Sequence, residues 1–320
     1  MASKYTVRIN TFRRNDLLKK VVEQYATCPK IHSIQVIWSD LAAAPPPMSF
    51  FDLPNSYDQP SSYKSASAST PMIEFEIHTV DSLNNRFRPI LDIATKAVFS
   101  VDDDLHIPCG LLDFTHQVWR AAPHTMVGFM PRMHGYDTLS RRFTYHDWWY
   151  VWRHGLYSMV LTKACFLHRD FLYAYAAVTK RPGLTTDMFV REPRITGRRL
   201  APSSHGHRPR RRPRPAPSGT TPLAPENHTM RAVHDYVDAH MNCEDIAMSF
   251  LVANMSHEPA VWVRGTGVRE IGSTGLSSDQ QRHYRERGMC IHEFVSLFGN
   301  LPLVPATHKV DRASNFWFWR

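Results

Sequence analysis

The chain has 320 residues, 43% hydrophobic and 12% aromatic, enough to bury a substantial core as one large or two small domains. Its formal charge of +9 would point to a polyanion-binding face, but nine arginines and a single glutamate fall between Arg191 and Pro225, leaving the rest close to neutral. That basic segment also has no aromatic residue to stack on a base, which argues against a folded nucleic-acid binder.

In chain order, residues 5–10 read as a first strand, and apolar positions 17, 18, 21, 22 and 25 predict a helix over 16–25. A second strand at 34–38 completes a β-α-β unit with parallel strands. No G-x-G-x-x-G and no P-loop accompany it, so phosphate contacts have to come from a metal and from side chains. Residues 42–71, rich in Pro, Ser and Ala, are expected to form a long surface loop of low order. A half-exposed strand follows at 73–77. The run Asn84, Asn85, Arg86 then offers amides and a guanidinium suited to a base and a phosphate, although by itself such a run is more often a turn.

Residues 97–101 predict a short buried strand, with Asp102, Asp103 and Asp104 at its carboxyl end, where open α/β sheets place their ligands. Three adjacent acids repel one another, and a hard divalent cation such as Mn²⁺ or Mg²⁺, held by one or two carboxylates plus substrate phosphates, would compensate them. A solvated acidic turn accounts for the triplet equally well. A helix over 110–122 and a strand over 126–129 come next. Trp148, Trp149, Tyr150 and Trp152 read as core packing in preference to a platform for sugar rings.

The segment 191–225, with eight prolines, cannot bury enough apolar surface to fold by itself and reads as a disordered insertion, less readily as a docking arm for an acidic partner. Residues 230–240 and 246–253 predict helices, the second with Glu244 and Asp245 in its first turn, where the helix dipole favours negative charge. His283, Arg285 and Arg287 precede an amphipathic stretch at 291–298. The cysteines, five in number and without a C-x-x-C pair, argue against a zinc site or a dense disulfide framework and read as buried thiols. No apolar run approaches the roughly 18 residues of a membrane span.

Five stretches in order then resemble one family: Ser82-Leu83-Asn84-Asn85-Arg86-Phe87, Val101-Asp102-Asp103-Asp104, Tyr157-Ser158-Met159-Val160-Leu161, Asn242-Cys243-Glu244-Asp245-Ile246-Ala247-Met248, and Arg287-Gly288-Met289-Cys290 with Leu301-Pro302-Leu303. Together they resemble the exostosin C-terminal domain, glycosyltransferase family 64, with Thr11 to Leu18 and the aromatic tail Phe316 to Trp319 closer to its plant-type members. The resemblance implies an α/β fold of GT-A type, a mixed, mostly parallel sheet flanked by helices. Residues 1–130 would bind the sugar nucleotide, and residues 131–320 the acceptor.

It further implies a retaining transferase using Mn²⁺ and a UDP-N-acetylhexosamine, most simply UDP-GlcNAc, to form an α linkage on a glycan or glycolipid. The alternative is GDP-mannose or another hexosyl donor acting on inositol phosphosphingolipids. A reading from another class is a non-catalytic polyanion-binding protein that uses the Arg-rich insertion. By the resemblance, Asp104 is the direct metal ligand with Asp102 beside it, and Thr11, Arg14, Asn85, Arg86, Asp103, His283 and Arg287 surround the nucleotide sugar. Asp245 and Arg287 are catalytic, and Asn242 and Glu244 contact acceptor or sugar. Glu244 stands where some relatives have Asp. Cys243 and Cys290 match a pair that is disulfide-linked in relatives. A lumenal Golgi setting is implied, behind a membrane anchor that this chain does not contain, with no nucleic-acid partner.

Overall fold

The computed structural model describes residues 3–53, 70–177, 227–272 and 280–313. The chain starts with β1 (Tyr5–Thr11), α1 (Asn15–Ala26), β2 (Ile31–Trp38), β3 (Met72–Ile77), β4 (Ala97–Asp102), β5 (Leu105–His106) and α2 (Cys109–Ala121). It continues through β6 (Val127–Gly128), β7 (Pro131–Asp137), β8 (Arg142–His146), α3 (Trp148–His154), β9 (Met159–Val160), β10 (Ala164–His168) and α4 (Arg169–Tyr175). After α5 (Asn227–His240) and α6 (Glu244–Ser256) come β11 (Val261–Val263), β12 (Arg269–Glu270), α7 (Gln280–Phe298) and β13 (Lys309–Val310).

Eight strands form the main sheet in the order β13-β11-β6-β10-β4-β1-β2-β3. All neighbours pair parallel except across β10, which runs antiparallel to both β4 and β6. This is the mixed, mostly parallel α/β sheet the sequence predicts. A strand buried on both faces reads as a continuous apolar run, and β4 is buried throughout up to Asp102. Its Phe99 and Val101 face α1 and α2 with Val7, Ile9, Leu18, Val22 and Leu112. Its Val98 faces the opposite core with Leu167, Phe171, Ile246, Phe250, Ile291 and Phe294. α6 is apolar on all sides, which suits a helix enclosed by others, and every residue from Asp245 to Ala253 is buried.

The outer strands carry a charge inside the sheet. Arg8 of β1, 1% exposed, donates to Gln35 of β2 (2.8 Å) and to both carboxylate oxygens of Glu76 on β3 (2.7 and 2.9 Å). His78 lies 3.0 Å from Glu76, and Leu91 N–H donates to the same carboxylate (3.2 Å).

Several expectations need correcting. Four of the five cysteines are not thiols: Cys28 pairs with Cys109 and Cys243 with Cys290, while Cys165 is free and buried. The pairing of Cys243 with Cys290 agrees with the resemblance; the bond from the end of α1 to the start of α2 was not foreseen. Residues 42–53 are ordered where low order was expected, because Phe51 (5% exposed) packs into the α1-side core, while residues 54–69 and the insertion at 191–225 lie outside the described residues. α7 extends N-terminal of the predicted 291–298, so His283 and Arg287 stand on a helix and not in a loop. The tryptophans read as core are exposed: Trp148 by 44%, Trp149 by 61% and Trp152 by 67%, since α3 buries only Val151.

Candidate active site

β4 and β1 are neighbours, with β2 and β3 following on the β1 side and β10, β6, β11 and β13 on the β4 side. In open α/β sheets the crevice at the carboxyl ends of such a pair is the ligand site. β1 ends there in Thr11, and β4 ends in Asp102 followed by the turn of Asp103 and Asp104.

The three aspartates meet different surroundings. Asp103 is fully buried, accepts from Thr11 Oγ1 (2.6 Å) and pairs with Arg14 (2.5 Å). Burial pushes its carboxyl up to about 6 against the lowering effect of Thr11 and Arg14. It therefore ties the β1–α1 loop to the acidic turn. Asp102 faces the other way and pairs with Arg86. Asp104 touches Arg14 through Oδ2 (3.3 Å), while its Oδ1 is buried without a hydrogen-bond partner. Ile271 N–H donates to the Asp104 carbonyl (2.7 Å), and Gly272 passes so close that an added Cβ would stand 3.1 Å from the Asp104 Cβ.

Arg86 joins this cluster to α6. Its Nη1 pairs with Glu244 (3.0 Å) and approaches Thr162 Oγ1 at 3.4 Å. Next to Glu244, Asp245 pairs with Arg287 of α7 (2.5 Å), whose Nη1 reaches Asn242 Oδ1 at 3.3 Å and whose guanidinium lies 4.6 Å from the Tyr145 ring centre. The order Asp102, Arg86, Glu244, Asp245, Arg287 is a continuous line of charges from the strand tip to α7. Burial alone would raise Asp245, but the charge and hydrogen bond of Arg287 hold it below the usual carboxylate range. Glu244 is pushed up, first by burial and then by the charge of Asp245. Adjacent carboxyls separated in this way are set for different roles. His283, a turn before Arg287, is lowered by burial and then by the charge of Arg287.

The backbone before Asp245 is strained. Met241 (φ 45°) and Cys243 (φ 74°) both lie in the left-handed region that favours glycine. The Cys243–Cys290 bond clamps this turn to α7, three residues from Arg287.

Some predicted site residues have structural partners. Asn85 donates to Ser39 Oγ (2.9 Å) and the Val80 carbonyl (2.7 Å), bracing its own loop. Asn84 is buried between Asp238, His234 and Tyr175. A cavity of about 530 Å³ adjoins the acidic turn, lined by Arg13, Arg14, Trp38, Asp40 and Ala43. A cleft of about 740 Å³ between β8 and α7 has neither Asp245 nor Arg287 in its wall. Tyr145 and Thr162 were missed by sequence reasoning. An isolated Tyr or Thr in a loop-rich stretch carries no spacing signal, and only packing brings them to the arginines.

Among the described residues no group of three or more His, Cys, Asp or Glu side chains is arranged to hold a metal ion by itself. The turn nevertheless fits a divalent cation. Asp104 Oδ1 is a buried, unpartnered carboxylate oxygen, and one carboxylate completed by substrate phosphates is an ordinary ligand set for such an ion.

The fold is a mixed α/β sheet with a line of paired charges at the carboxyl ends of its parallel strands β1 and β4. The model of the glycosyl transferase family 64 domain matches residues 5–188 and 225–316, and the chain belongs to that family. It is thus a glycosyltransferase, a hexosyltransferase of GT-A fold. It is 37% identical over 318 residues to glycosylinositol phosphorylceramide mannosyl transferase 1 of Arabidopsis thaliana, covering 98% of this chain and 78% of that protein. It is 28% identical over 316 residues to exostosin-2 of Homo sapiens, but spans only 34% of that protein. It is also 28% identical over 292 residues to glucosamine inositolphosphorylceramide transferase 1 of Oryza sativa subsp. japonica, spanning 29% of it.

Proposed function

We propose that this chain transfers a hexose, mannose from GDP-mannose in the simplest case, to the headgroup of an inositol phosphosphingolipid with retention of configuration. The observation that carries a transfer reaction is the unbroken line of charges from the Asp103–Arg14 turn through Arg86 to the Asp245–Arg287 pair. The lipid acceptor is supported by the names of both the Arabidopsis and the rice relatives, and mannose as the sugar by the Arabidopsis one, which has the higher identity of the two. Residues 1–130 would bind the donor, with the nucleotide at Thr11, Arg14 and the cavity beside them. Residues 131–320 would bind the acceptor through Asn242 and Glu244.

Asp104, with Asp102 nearby, would hold Mn²⁺ or Mg²⁺. When bound, that ion would neutralise charge on the diphosphate. Arg287 adds a fixed cation on the side of α7, where charge develops on the leaving group. Asp245, kept ionised, stabilises the oxocarbenium-like sugar or orients the acceptor hydroxyl. The departing diphosphate oxygen takes the hydroxyl proton, so attack occurs on the face from which the leaving group departs and no separate base is needed. The two disulfides fit an oxidising compartment, and a Golgi lumenal site is the setting proposed. The polyanion-binding reading depends on residues 191–225, which lie outside the described residues.

The test is a transfer assay on purified protein with Mn²⁺, a detergent-dispersed glycosylinositol phosphorylceramide, and GDP-mannose, UDP-GlcNAc and UDP-glucose in parallel. Mannosyl product from GDP-mannose alone is expected. Product from UDP-GlcNAc alone would restore the other donor, and no product from any donor would refute the assignment.

A further inference from the structure

We propose that the Trp148, Trp149 and Trp152 face of α3 is a membrane-interface anchor that seats this protein on an anionic lipid surface. The inference rests on the reading of the acceptor as a lipid. The three indoles are exposed, yet they are not scattered. Trp148 and Trp149 stack with ring centres 4.5 Å apart, and Trp152 lies 6.5 and 5.9 Å from them, so they form one slab on a single short helix. An exposed cluster of large apolar rings forgoes much of the burial that would favour each ring, which makes it unfavourable on a surface that faces only water. Indoles are the side chains best suited to the headgroup layer of a bilayer, where the ring meets apolar chain ends and the N–H stays hydrated.

The charge around the slab selects the occupant. Over residues 137–156 the chain has Arg141, Arg142 and Arg153 against two carboxylates, Asp137 and Asp147; Asp137 accepts from Leu139 N–H (3.0 Å) and Ser140 Oγ (2.6 Å) within its own turn. All three arginines are exposed. Asp147 is occupied: one oxygen accepts from the backbone N–H groups of Trp149 and Tyr150, and the other accepts from Tyr284 Oη (2.8 Å). Exposed arginines beside exposed indoles complement anionic headgroups.

The slab is also fixed relative to the reaction pair. Tyr284 is on α7, three residues before Arg287, and Tyr145 lies between them, 6.0 Å from the Tyr284 ring and under the Arg287 guanidinium. A lipid surface held by α3 therefore stands at a set height from Asp245 and Arg287. A headgroup can reach the site while its ceramide stays in the bilayer.

The experiment is co-sedimentation with phosphatidylcholine vesicles, with and without phosphatidylinositol, comparing the natural chain with a Trp148→Ser, Trp149→Ser, Trp152→Ser triple variant. Circular dichroism melting serves as the check on folding. The natural chain should partition into the anionic vesicles with indole emission shifted to the blue, and the triple variant should partition about tenfold less. An Arg141→Glu, Arg153→Glu variant, which leaves the core untouched, should lose the preference for anionic vesicles. Transfer to vesicle-embedded acceptor should fall in parallel, and transfer to the same headgroup freed of its ceramide should not change. Equal partitioning of natural and triple-variant protein overturns the anchor, as does failure of the natural chain to bind either vesicle. Loss of transfer to the free headgroup also overturns it, because the rings would then be touching sugar. Partitioning does not require activity, so an anchored protein that transfers nothing would count against the proposed function alone.

Discussion

Asp103, Asp104 and Asp245 carry the same chemical group in three different settings, and their partners decide what each can do. Asp103 is locked to Thr11 and Arg14, Asp245 to Arg287, and of the three only Asp104 keeps a buried oxygen with neither a hydrogen bond nor an ion pair. Replacing Asp104 with Asn should therefore abolish metal-dependent donor binding in calorimetry while leaving the melting temperature nearly unchanged. Asp245→Asn keeps the side-chain shape and removes the charge. Donor affinity should change little, while kcat should fall by about 10²–10³. Arg287→Lys keeps a cation but loses the fork that reaches both Asp245 and Asn242, so it should resemble Asp245→Asn in kinetics and not in donor binding. A kcat within twofold of the natural enzyme in either variant would remove the pair from the reaction.

Among the elements, the strands β1, β2 and β3 are bound by a buried ion pair as well as by their ladder. Glu76 loses by burial but gains more from His78 and Arg8, and its carboxyl is held down to about 2 from the ordinary 4.5. A depressed carboxyl contributes stability that is fully present above its ordinary value and disappears as the pH falls through the folded value. The loss should thus fall between about pH 4.5 and 2 and amount to roughly 3 kcal/mol, read as a drop in urea midpoint. Glu76→Gln leaves Arg8 charged and buried and should cost about 3–5 kcal/mol at neutral pH. Replacing both with apolar residues of similar size should cost far less. The disulfides separate in the same way. Opening the 81-residue Cys28–Cys109 loop by a double Ser substitution should cost about 4 kcal/mol with kcat intact. The same change at Cys243 and Cys290 should lower kcat as well, because it frees the strained turn that aims Asp245 at Arg287.

For the whole molecule, the site belongs to no single segment. Thr11, Arg86, Asp104, Asp245 and Arg287 come from five separate elements or loops, and the two cores on either face of β4 hold them in one line. Chelation should accordingly reduce transfer to background and leave the melting transition in place, because the described residues supply no metal cluster of their own that the fold could depend on. Added Mn²⁺ should restore it. A transition that moved by many degrees on chelation would instead mark the ion as structural.

Much of this was legible in the residues alone, since apolar periodicity and charge are local signals. The parallel opening unit, the buried β4 with its acidic tip and the apolar run of α6 after Asp245 follow from the periodicity of the side chains. Taken alone, the acids Asp102 to Asp104 read equally well as a solvated turn and Asp245 as charge in a helix's first turn, so it is the resemblance to a family that singles them out. What the chain could not reveal was pairing at a distance. Cys28 meets Cys109, Arg8 meets Glu76, and Tyr145 lies under Arg287 only after the sheet has set its register. The three tryptophans read as core from the sequence, and α3 exposes them because it turns Val151 inward instead. An indole's composition says that it tends to avoid water, and only the surrounding packing determines whether it does so inside the protein.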